Sequence, residues 1–151
     1  MIMKKIDLMN VWNLLNGAKF GKMESKEKIK FVRILCVLKP EADAFTAFRE
    51  TAVNKLTEEH PDFNERLQKA QDYEKAVKEK ATELPMTEQE YKDFVKEVTE
   101  FNKAVDSTIK EELEKEVDVK YDRLSDEGFA GLCDSNDFTG EQAIMLMGVL
   151  V

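Results

Sequence analysis

The stretch from Thr87 to Leu113 restricts the fold of this chain more than any other. Thr87-Glu88-Gln89-Glu90 reads as a capping box: the Thr87 hydroxyl is placed to accept from the Glu90 amide, and the Glu90 carboxylate to reach back. Met86 and Tyr91 flank the box at the two positions of a hydrophobic staple. Behind it, Tyr91, Phe94, Val98, Phe101 and Val105 recur at alternating steps of three and four, drifting to Ile109 and Leu113 as a helical period does. This pattern predicts a helix over residues 87–115 with one apolar seam.

Such a seam needs a covering element, and the segment from Ser25 to Glu59 offers one. Its apolar positions run through Ile29, Val32, Leu35, Cys36 and Leu38 to Ala42, Phe45, Phe48, Ala52 and Leu56. Pro40 interrupts the pattern, and a proline there removes an amide and crowds the preceding turn, so a kink or break is expected. Pro61 is suited to the first turn of a further helix over residues 63–83. That helix is poorly apolar, with Phe63, Leu67, Ala70, Tyr73, Val77 and Ala81 diluted by Gln, Lys and Glu.

Shorter elements flank this pair. Asp7 is placed to cap a helix bearing Leu8, Val11, Trp12 and Leu15, with Trp12 as a core anchor. Val117, Val119 and Tyr121 alternate with charged residues as a strand does, and Met1 to Ile6 is the other candidate strand, with pairing direction open. Ser125 to Cys133, broken by Gly128 and Gly131, reads as a loop or an irregular helical turn. Thr139 to Gln142 forms a second capping box, opening a terminal helix that is apolar nearly all round and must be buried in its own chain or against a partner. With only 6 Gly and 3 Pro, an all-β sandwich or barrel lacks the turns it needs. The expected fold is mainly α, one helical domain over residues 1–151: a long hairpin of residues 25–59 and 87–115, short flanking helices and a small terminal β element.

The net charge of -8 is unevenly spread. Residues 1–56 hold 11 Lys and Arg against 6 Asp and Glu, a net of +5, whereas residues 57–151 hold 12 against 25, a net of -13. The basic part lacks an aromatic stacking platform, a zinc spacing or a recognition-helix signature, so nucleic acid is not the expected partner. Membrane insertion is not expected either, since no apolar run approaches membrane length. Nor does the N-terminus carry a signal-peptide core. Cys36 and Cys133 stand far apart without a CxxC, and buried or incidental thiols in a reducing compartment are expected.

The catalytic and metal motifs fail on inspection. Asp134-Ser135-Asn136-Asp137 with Glu141 begins like a calcium loop, but Phe138 and Thr139 fall where an oxygen ligand and a glycine are required. His60 sits at a helix boundary with no nucleophile motif set against it, and the carboxylate pairs Glu58/Glu59 and Glu111/Glu112 read as solvated helix faces. No three ligands recur at a metal-binding spacing, so neither a catalytic residue nor a metal or other cofactor is expected.

In its order of elements the chain resembles a family of small uncharacterised proteins encoded by tailed bacteriophages and prophages. The likeness lies in the Lys-Ile-Asp-Leu opening at Lys5 to Leu8, the long lysine-bearing helix, the Glu-Val-Asp-Val strand at Glu116 to Val119, and the Thr-x-Glu element at Thr139 to Glu141 before a Met- and Leu-rich helix. It covers about two thirds of the chain, leaving out roughly residues 61 to 85. It implies a phage setting, in the host cytoplasm or the virion, and transfers no functional residue. The expected function is non-enzymatic and acts through protein-protein contacts, as a virion or assembly component. The competing expectation is a host-directed inhibitor whose acidic surface blocks a nucleic-acid-binding partner. A protein partner or self-association is expected to use Ile144, Met145, Leu146, Met147, Val149 and Leu150 of the terminal helix, with Phe94, Val98 and Phe101 of the apolar seam.

Overall fold

The computed structural model describes all 151 residues and is mainly α, with six helices and one two-stranded sheet. In chain order the elements are β1 (Ile2–Lys4), α1 (Lys5–Leu15), α2 (Ser25–Glu59), α3 (Phe63–Lys78), α4 (Glu88–Leu113), β2 (Glu116–Asp118), α5 (Asp126–Asp134) and α6 (Gly140–Leu150). They divide into two compact units, one of residues 1–46 with 112–151 and the other of residues 47–111.

The first unit holds the continuous apolar core. Strands β1 and β2 pair antiparallel with Met3 opposite Val117, which settles the pairing direction. Met3 is the buried residue of β1, while Ile2 points outward. The Lys5 amide bonds the Lys115 carbonyl at 2.8 Å, and α1 follows at once, so Asp7 lies in its first turn and Lys4 occupies the cap without a side-chain bond to the helix amides. Leu8, Val11 and Leu15 of α1 meet Phe31, Ile34, Leu38 and Ala42 of α2, with Leu132, Leu146 and Leu150 completing the interior. Trp12 is half-buried at its edge.

Helix α2 runs unbroken through Pro40. Pro40 and Cys36 are both exposed, so the Cys36 carbonyl that loses its amide partner turns to water and the helix need not end. Cys36, expected as a buried or an incidental thiol, is exposed, and Cys133 is half-buried. In the first half of α2 the buried stripe passes through Phe31, Ile34 and Leu38, leaving Ile29 and Val32 outside.

Residues 125–134 depart furthest from expectation. Here α5 is a regular helix, capped by Ser125, whose Oγ accepts the Gly128 amide at 3.0 Å. Its glycines serve close approach: a Cβ on Gly128 would lie 2.3 Å from Glu27 Oε2, and one on Gly131 would lie 2.9 Å from the Lys22 carbonyl oxygen. Residues that began like a calcium loop fasten the α1–α2 loop instead. The Asn136 side chain accepts the Lys19 amide at 2.8 Å and donates to the Lys19 carbonyl at 2.7 Å, while Ser135 Oγ accepts the Lys22 amide.

The second unit contains residues 47–59 of α2, all of α3 and most of α4. The Thr87 capping box is present in both directions, at 3.1 and 3.2 Å. Helix α3 ends at Lys78, short of the expected residue 83, because Lys80 adopts a left-handed conformation at φ 54°. The Ala81 amide then bonds back to the Ala76 carbonyl at 2.9 Å, the closure of a Schellman motif.

Candidate protein-contact surface

The seam of α4 is only partly covered. Phe94 is buried, its ring 5.7 Å from that of Phe63 and the Arg66 guanidinium 5.1 Å from its centroid. Arg66 also pairs with Glu97, whose carboxyl is held below its ordinary range by that hydrogen bond despite partial desolvation. One turn earlier, Tyr91 stacks on Tyr73 at 4.6 Å and donates its hydroxyl to Glu74, which raises the Tyr91 pKa above the ordinary phenol value. These contacts fix α3 against the first half of α4.

Beyond Phe94 the cover thins. Val98, Phe101, Val105 and Ile109 are all half-buried. Phe101, Ala104 and Val105 face Phe48 and Ala52 of α2 across an open groove of about 570 Å³, with Thr51 and Thr108 at its margins. A smaller hollow of about 180 Å³ lies on the α3 side, lined by Leu67, Val95 and Val98. Leu67 is 37% exposed and Val95 42% exposed, so this part of the seam continues onto open surface.

The expected contact residues therefore separate by role. Phe94 belongs to the interior of the second unit, whereas Val98 and Phe101 line hollows open to solvent. In α6, Leu146 and Leu150 are fully buried and do not present themselves to a partner, because α6 packs against α1 and α5. Met145 and Val149 pack against the same core. Ile144 at 75% and Met147 at 51% exposure form a small outward pair. A chain that buries α6 under its own helices satisfies most of its apolar surface without help.

Three features escaped the sequence reading. The exposed pair Ile29 and Val32 looks like core by spacing alone, and only the path of Phe31, Ile34 and Leu38 shows otherwise. Glu112 reads as half of a solvated pair but is buried, bonded by Lys115 and Lys5, which lower its pKa. Glu27, with no signal beyond its place in a lysine-rich stretch, is buried beneath α5. No three His, Cys or carboxylate side chains converge as a metal-holding group, and no helix is long and apolar enough to cross a membrane.

No family model, curated protein or solved structure compared with this chain matches it.

Proposed function

We propose that this chain works by protein-protein contact, without catalysis, and that a second copy of the chain is the occupant of the α4 seam. The carrying observation is the half-buried run Val98, Phe101 and Val105, which opens onto the groove opposite Phe48. A seam with alternating three- and four-residue steps presents knobs at the spacing a like helix can receive, and a two-fold contact between identical stripes closes on itself. Self-association of this kind suits a virion or assembly component. The phage setting is supported by the resemblance in element order, carried by the Lys5–Leu8 opening, the Glu-Val-Asp-Val segment at Glu116 to Val119 and the Thr139–Glu141 cap.

Sedimentation equilibrium from micromolar to near-millimolar concentration tests this reading. The expected result is a concentration-dependent dimer that Phe101→Glu disrupts while thermal unfolding stays cooperative. A monomer across the whole range, or a dimer indifferent to Phe101→Glu, overturns it.

A further inference from the structure

A different surface, in the first unit, carries an inference that does not depend on the α4 seam. Between Lys22 and Lys39 the chain places six cationic side chains against two carboxylates, Glu24 and Glu27. Glu27 is buried and already paired with Lys30 at 2.8 Å, so its charge is spent internally. The outward side of α2 here is both basic and apolar: Ile29 is 56% exposed and Val32 43% exposed, one helical turn apart. A soluble helix ordinarily turns such residues inward, and a contiguous exposed set rimmed by charge is the mark of a contact face.

The face carries two shallow, open hollows. One hollow, of about 250 Å³, is walled by Lys28, Ile29, Val32 and Arg33. The other, of about 580 Å³, lies between Arg33, Cys36 and Val37 on α2 and Tyr121 on the segment after β2. Arg33 walls both. Neither Lys28 nor Arg33 makes a side-chain hydrogen bond or ion pair within the chain. Lys120, at the edge of the larger hollow, leans to Asp118 at 3.6 Å, and Asp122 is the one carboxylate lining it. Ile29 and Cys36 lie two turns apart, about 10 Å along the helix.

We propose that this face docks an acidic amphipathic helix of a partner protein, with apolar side chains two turns apart entering the two hollows and carboxylates meeting Arg33 and Lys28. Charge complementarity selects the occupant: unpaired cations around apolar hollows call for anions that bring apolar anchors with them. A nucleic-acid backbone would use the cations and leave Ile29 and Val32 wet. A bilayer would use the apolar pair but has no side chains to seat in the hollows.

The test is fluorescence anisotropy with a labelled helical peptide of about five turns, carrying leucines at i and i+7 flanked by glutamates. A control peptide has every glutamate replaced by lysine. Further arms use phosphatidylserine-containing vesicles and a DNA duplex. The expected result is saturable binding of the glutamate peptide alone, weakened about tenfold by Arg33→Glu and by raising the salt from low to physiological. Val32→Asn should weaken it as well, and because both substitutions sit at exposed positions the unfolding transition should stay in place. Three results overturn the proposal: no binding of the glutamate peptide, equal binding of both peptides, or binding of vesicles or DNA in preference to it. Self-association abolished by Arg33→Glu would seat a second copy here and overturn it too. The Phe101→Glu chain keeps this face intact, so the seam and the basic face can fail separately.

Discussion

The buried carboxylate of Glu27 accepts the backbone amide of Ser125 at 2.9 Å across 98 positions of sequence. Lys30 neutralises it from one turn along α2. The acceptor thereby sits at the N-terminus of α5, where unpaired amides and the helix dipole favour a negative group. Gly128 leaves the space it occupies. Gly128→Ala should therefore displace Glu27 and destabilise the first unit by about 1–3 kcal/mol, read as an earlier midpoint in urea unfolding with an unchanged slope. An unchanged midpoint would mean that Glu27 is free to swing clear.

The same geometry sets a pH dependence. Hydrogen bonds from Lys30 and then Ser125 hold the Glu27 carboxyl below its ordinary value of 4.5, and Lys115 and Lys5 do the same for Glu112. Carboxyls depressed in the folded state contribute stability above their unfolded pKa and lose it as pH falls through the folded value. Stability should hold through neutral pH and drop as acid passes below that ordinary value. A Glu27→Gln, Glu112→Gln double variant, less stable at neutral pH, should show a flatter acid limb in chemical denaturation at stepped pH.

Helix α6 supplies a contrast between neighbours. Leu146 has no exposed surface and Met147 is half exposed. Leu146→Ala should cost about 2–5 kcal/mol, whereas Met147→Ala should stay within about 0.5 kcal/mol of the parent in calorimetry. A chain ended at Phe138 should lose the cooperative unfolding of the first unit altogether.

Lys80 carries a side chain in a conformation that glycine adopts freely. Lys80→Gly should raise stability of the second unit by about 0.5–1 kcal/mol, despite the added freedom of the unfolded chain. A lower melting temperature would show that the Lys80 side chain contributes contacts outweighing that conformational cost.

Local signals in the sequence are read back faithfully where short-range chemistry governs. Both capping boxes form, and α3 and α4 occur close to where their periods place them. The departures share a cause: each depends on what packs from far along the chain. Gly128 and Gly131 look like helix breakers until Glu27 and the Lys22 backbone occupy the space their missing side chains leave. Pro40 looks like a break until both it and Cys36 are seen to lie on an exposed side of α2. Ile29 and Leu38 are equally apolar, and spacing alone could not tell which of two adjoining stripes turns inward. Of the expected contact residues, Val98 and Phe101 stand half-buried beside open hollows, as a seam with one cover leaves an edge, while the burial of Leu146 and Leu150 rests on long-range packing by α1 and α5.

The pairing of Met3 with Val117 bears on the order in which the molecule forms. Closing so long a loop carries an entropic cost that no local contact offsets, and the slowest step in such topologies is the meeting of distant segments. During synthesis β1 and α1 leave the ribosome early, yet β2 and the leucines of α6 that complete their core arrive last. For most of that interval Leu8, Val11 and Phe31 have one another but lack Leu132, Leu146 and Leu150, and a nascent chain is then at its most open to chaperones and to stray association. Residues 47–111, whose contacts lie within one continuous stretch, face no such wait.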